Sequence, residues 1–107
     1  MTLEELVDLI DTLDDRHVIC ARTPWHAGSD ALVVALDAGR VPQTVTEAGF
    51  QYFLEVAVVR EVLDVFANRP VTPAVKLKSL VYYAVHDRLP EGLYSADQAV
   101  ASDLTRR

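Results

Sequence analysis

The run Ala31-Leu32-Val33-Val34-Ala35-Leu36 carries an apolar side chain at every position. In a strand, successive side chains point to opposite faces, so both faces of this run must be covered. A chain holding such a strand needs a layer above it and a layer below it. This pattern predicts a central, covered strand.

Two flanking runs complete a sheet. His17-Val18-Ile19-Cys20-Ala21-Arg22 reads as a strand before it, and Phe50-Gln51-Tyr52-Phe53-Leu54-Glu55-Val56 as one after it. Thr23 to Asp30 is a turn-rich loop, and Asp37-Ala38-Gly39-Arg40 signals the next turn. Residues 44–49 fit no single pattern. Consecutive strands joined by short loops pair antiparallel.

The remaining segments follow a helical period. Thr2-Leu3-Glu4-Glu5 is a capping box, and Leu3, Leu6, Val7, Ile10 and Leu13 form one apolar stripe behind it. Ala57 to Asn68 places Val59, Val62, Leu63 and Phe66 on one face, and Arg69-Pro70 stops it. Thr72-Pro73 opens a last helix with Leu77, Leu80, Val81 and Ala84 toward the core, which Leu89-Pro90-Glu91-Gly92 closes. The expected fold is α+β: a small single-domain sandwich with a three-stranded antiparallel sheet and helices packed on one face, in the order α-β-β-β-α-α. One domain spans 1–92, and 93–107 form a short C-terminal helix or tail. At 107 residues, half of them apolar, the chain can bury a core without disulfide or metal.

Charge is segregated. Residues 1–15 hold Glu4, Glu5, Asp8, Asp11, Asp14 and Asp15 and no base, while the remaining ten acids and ten bases cancel. On a continuous helix Glu4, Asp8, Asp11 and Asp15 fall within about 60° of one another. Such a row repels phosphate backbones and anionic membranes and suits a basic protein partner. Solubility alone also accounts for an acidic total. No apolar window is long enough for a transmembrane helix, and the acidic start lacks the basic region of a signal peptide. A single cysteine fits a reducing cytoplasm.

Catalytic chemistry finds little footing. His17 and Cys20 lie three apart in a strand and face opposite sides, so they do not share a metal. No cofactor-binding motif occurs, and the four glycines, at 28, 39, 49 and 92, are isolated. Cys20 in an apolar strand reads as a buried small hydrophobe. Ser29 lacks a nucleophile elbow, Ser79 has no adjacent base, and His86 and Asp87 diverge by a helical step. Trp25, in a loop beside His26, either closes over the sheet edge as a lid or anchors a partner. Of the consecutive Tyr82 and Tyr83, Tyr82 is expected to pack and Tyr83 to lie at the surface.

The strand Phe50–Val56, the helix Val59–Phe66 and the run Leu80-Val81-Tyr82-Tyr83-Ala84-Val85-His86-Asp87 resemble a family of small bacterial proteins of unknown function. Its members share a Tyr-Tyr…Asp helix near the C-terminus and an aromatic-rich strand before a helix. The resemblance covers most of residues 2–91, on mostly apolar motifs. In type the chain is similar to immunity proteins of bacterial toxin systems, including contact-dependent growth inhibition. That resemblance implies a cytoplasmic, non-enzymatic inhibitor that binds a cognate toxin domain, often a basic nuclease, stoichiometrically. No contact residue carries over from it. From the residues themselves, Glu4, Asp8, Asp11 and Asp15 are candidates for steering, and Trp25 and Tyr83 for anchoring. A homo-oligomeric structural or regulatory subunit is the alternative, and a homodimer stays open. An enzyme using His26 or His86 is the third reading.

Overall fold

A computed structural model describes residues 1–67 and 69–88. The residues expected to close the last helix, 89–92, and the segment 93–107 lie outside the described residues.

Three strands, β1 (Val18–Ala21), β2 (Ala31–Val34) and β3 (Gln51–Glu55), form one antiparallel sheet in the order β2-β1-β3. The expected fold class is therefore present. The centre of the sheet is β1, whose four residues are all buried. The expectation that Ala31–Leu36 is central is overturned, since β2 is an edge strand. Apolar side chains on both faces report cover above and below the sheet. They say nothing about backbone neighbours in its plane, and this strand has cover on both faces but only one strand beside it.

The connection from β2 to β3 crosses to the far side of β1. Helix α2 (Gln43–Glu47) occupies that connection, in the stretch that fits no single sequence pattern. The expected element order thus gains a helix between the second and third strands.

The β1–β3 register shifts between Ile19 and Cys20, with Ile19 opposite Leu54 and Cys20 opposite Tyr52. Phe53 is the extra residue of a bulge, which breaks the strict alternation of faces. Phe53 and Leu54 consequently both enter the main core. In a regular strand they would point to opposite faces.

Helix α1 (Leu3–Asp8) opens with the predicted capping box. The Thr2 N–H donates to Glu5 Oε1 at 2.8 Å, and the Glu5 N–H donates to Thr2 Oγ1 at 3.2 Å. The helix does not run through the whole acidic segment. It ends at Leu9 and gives way to a 3₁₀ turn, Ile10–Thr12. Arg60 holds this turn from across the core, donating to the Ile10 carbonyl at 3.0 Å and the Leu13 carbonyl at 2.7 Å.

Helix α3 (Val56–Asp64) follows β3 directly and buries Val56, Val59 and Val62. Helix α4 (Pro73–His86) starts as the sequence predicts, with Pro73 in its first turn and Thr72 Oγ1 accepting from the Val75 N–H. It ends at Asp87, which takes the left-handed conformation at φ 58°.

Both sheet faces carry a core. The larger one joins Leu3, Leu6 and Ile10 to Ile19, Phe53, Val59 and Leu80. The smaller one joins Val18, Cys20 and Val34, with Val41, Val45 and Phe50 packed on it. Cover on the second face by α2 and its approach corrects the expectation of helices on one face only. Each fully buried Leu, Ile or Phe contributes about 1.5–3 kcal/mol, so the larger cluster dominates stability.

Candidate functional site

The acidic residues separate once the helix breaks. Glu4 and Asp8 are exposed on α1 and Asp11 is exposed on the 3₁₀ turn. Asp15 lies beyond the turn and forms an ion pair with Arg60. The single row of four carboxylates expected for a continuous helix is therefore not formed. Asp14 is also occupied, accepting from the Arg16 guanidinium at 2.7 Å and 3.0 Å and from the Arg16 N–H at 2.8 Å. These bonds hold its carboxyl well below the usual aspartate range. Glu5 is lowered by its hydrogen bonds with Thr2. Among the described residues, Glu4, Asp8 and Asp11 have no basic group within ion-pair distance. Glu4 and Asp8 instead flank a cleft of about 60 Å³ that also exposes Lys76.

Trp25 closes over the core. Its Nε1–H donates to the Ala21 carbonyl at 3.1 Å, and its ring meets Phe53 edge-on at 5.0 Å. The surrounding loop is pinned by buried Ser29, whose Oγ accepts from the His26 N–H at 2.9 Å and donates to the Pro24 carbonyl at 3.0 Å. Ser29 is thus committed to shaping the loop. Ser79 likewise donates to the Val75 carbonyl within α4 at 3.0 Å.

The two tyrosines exchange their expected roles. Tyr83 packs against the main core, whereas Tyr82 stacks with His86 at 4.2 Å. Tyr83 sits three positions from buried Leu80, and that rotation turns it inward. Tyr82 shares its side of α4 with Lys78, Val81 and Val85.

That side of α4 and the Trp25 loop enclose an open groove of about 530 Å³. Its floor is Ala74, Leu77, Val81 and Val85, and its aromatic walls are Trp25 and Tyr82. His26, Lys78 and His86 supply its ionisable nitrogen groups. The sequence places His26 and His86 far apart, and neither falls in a motif that joins them. Only the packing of α4 against the loop brings both to one surface. A second groove, of about 480 Å³, wraps the outer edge of β2 between Leu9, Leu13, Leu32 and Val33.

Cys20 is fully buried on the second sheet face, and burial pushes its thiol up, away from the nucleophilic thiolate. Among the described residues no three His, Cys, Asp or Glu side chains converge as a metal site. No helix among them is long and apolar enough to cross a membrane. Comparison with protein-family models, curated proteins and solved structures returns no match.

Proposed function

We propose that the protein is a cytoplasmic immunity protein, which neutralises a cognate basic toxin domain by stoichiometric binding and carries out no catalysis itself. The observation supporting this reading is the uncompensated charge of the N-terminal segment. Glu4, Asp8 and Asp11 project into solvent without an ion-pair partner among the described residues. Exposed carboxylates at neighbouring positions accelerate encounter with a basic surface and favour it over an acidic one. Asp15, bound to Arg60, contributes to the local field but is not free to pair. Both anchor candidates, Trp25 and Tyr83, are partly exposed and pack against the main core.

The experiment is affinity purification of the tagged protein from its own bacterium at low and high salt, with bound chains identified by mass spectrometry. A basic toxin fragment held in equimolar amount supports the reading. The triple variant Glu4→Lys, Asp8→Lys, Asp11→Lys then slows association sharply at low salt. Recovery of the protein alone defeats the proposal, and an unchanged on-rate removes this segment from it.

A second reading, a homo-oligomeric subunit, rests on the edge of β2. Met1 accepts from the Ala31 N–H, and Arg22 donates to Asp30 on the β1 side. The antiparallel alternation then turns the Val33 N–H and C=O outward, beside the groove lined by Leu9 and Leu13. An apolar edge without lysine or proline invites another strand. Light scattering across a range of protein concentrations tests it, and a constant monomer mass excludes it.

A further inference from the structure

We propose that the groove between α4 and the Trp25 loop is a binding site for a small apolar carboxylate, an alkyl- or aryl-chain acid whose hydrocarbon part lies along Leu77 and Val81 and whose carboxylate meets Lys78. This site is separate from the acidic segment and does not rest on the immunity reading.

Volume comes first. About 530 Å³ falls within the usual range for small-molecule sites, about 300–1,000 Å³. The walls are held in place before any ligand arrives. Trp25 is fixed by its bond to the Ala21 carbonyl and its contact with Phe53, and Tyr82 is braced by His86. Leu77 is buried in the main core beneath the groove. An apolar chain entering here displaces water from surfaces that need not move to receive it.

Charge then selects the head group. The chain has a net charge of −6, yet among the described residues no carboxylate lines this groove. Among the described residues, the ionisable groups on it besides the Tyr82 hydroxyl are Lys78, His26 and His86. The local sign is opposite to that of the whole protein. An ammonium and a carboxylate form a charge-assisted hydrogen bond, which a neutral head group cannot match. His26 adds a donor. Its Nδ1 accepts from the Gly28 N–H at 3.1 Å, so the proton of the neutral ring resides on Nε2. Gly28 permits this closeness, since a Cβ there would lie 3.3 Å from His26 Cε1.

Trp25 is the chain's one tryptophan, so its fluorescence reports on the groove directly. The full-length protein is titrated with octanoate and with 4-phenylbutyrate, and in parallel with 1-octanol and 4-phenylbutanol. At least one acid is expected to give a saturable change, with its matched alcohol binding at least tenfold more weakly. Lys78→Met weakens acid binding about tenfold and leaves the alcohol unaffected, while Lys78→Arg retains it. Lys78 is exposed, so neither substitution endangers the fold. Equal binding of acid and alcohol overturns the proposal in favour of unspecific apolar partition. Absence of saturation by both acids, or Lys78→Met binding like the wild type, overturns it outright. A fluorescence change that follows protein concentration alone assigns the groove to a second copy of the chain and also overturns it.

Discussion

Trp25 meets Phe53 edge-on, with ring centroids 5.0 Å apart and planes inclined at 80°. The bulge in β3 produces this contact, because it inserts Phe53 as an extra residue that turns inward beside Leu54. Phe53 is fully buried and Trp25 partly so. The pair joins the sheet to the loop that forms one wall of the groove. Phe53→Ala is expected to cost about 3–5 kcal/mol in urea unfolding. Trp25→Phe retains an aromatic ring but loses the bond to Ala21, and should cost about 1 kcal/mol for that bond. Phe53→Leu, the milder change, should shift Trp25 emission to the red. An unshifted spectrum would mean the indole does not depend on Phe53 for its seat.

Arg60 is expected to matter more than its ion pair. Its guanidinium donates to the carbonyls of Ile10, which also accepts the Leu13 N–H within the 3₁₀ turn, and of Leu13, which lies just past that turn. Arg60→Met should destabilise by about 2 kcal/mol, since bonds to charged donors are worth more than neutral ones. Asp15→Asn should cost less than about 1 kcal/mol, because the carboxylate is 58% exposed and screened. Equal costs for the two variants would place the stabilisation in the ion pair instead.

Acid stability should carry the signature of Asp14. Its folded pKa is depressed, chiefly by side-chain hydrogen bonds from Arg16 and then by the Arg16 N–H. A depressed carboxylate stabilises the fold fully above its unfolded pKa of about 3.9. That contribution disappears as pH falls toward the folded value. The melting temperatures of wild type and Asp14→Asn should therefore differ above about pH 4 and converge below it. Salt should narrow the gap, because the pair is exposed. A gap that persists unchanged into strong acid would rule out this carboxylate as its source.

Cys20 should be inert while the protein is folded. It is buried, and burial raises its thiol pKa. Labelling with a thiol reagent at pH 8 should be slow in buffer and should rise with urea along the unfolding curve. Rapid labelling of the native protein would require an opening of the second sheet face.

Local elements were legible because local chemistry dictates them. The Thr2–Glu5 capping box and the Thr72-Pro73 start need only neighbouring residues, and both occur where the sequence puts them. All three strands also appear. The break in the acidic helix was not legible. Arg60, whose guanidinium binds the carbonyls beyond the break, lies far along the chain and gives no signal in the first fifteen residues. For the same reason the aligned acidic row did not survive.

The candidate groove divides along the same line. Trp25, His26, Lys78 and Tyr82 are visible in the sequence as residue types, but nothing there brings the loop pair Trp25–His26 to the helix pair Lys78–Tyr82. By itself the sequence determined the α+β class, the strand positions, the two capped helix starts and the segregation of charge. These follow from hydrophobic period, capping and composition, all of which act over a few residues. Only the tertiary structure decided that β1 is central and β2 an edge, that Tyr83 faces the core and Tyr82 the groove, and that His26 and His86 share one surface. Each depends on contacts between distant segments, and the pattern of apolar residues specifies that a face is covered without specifying what covers it.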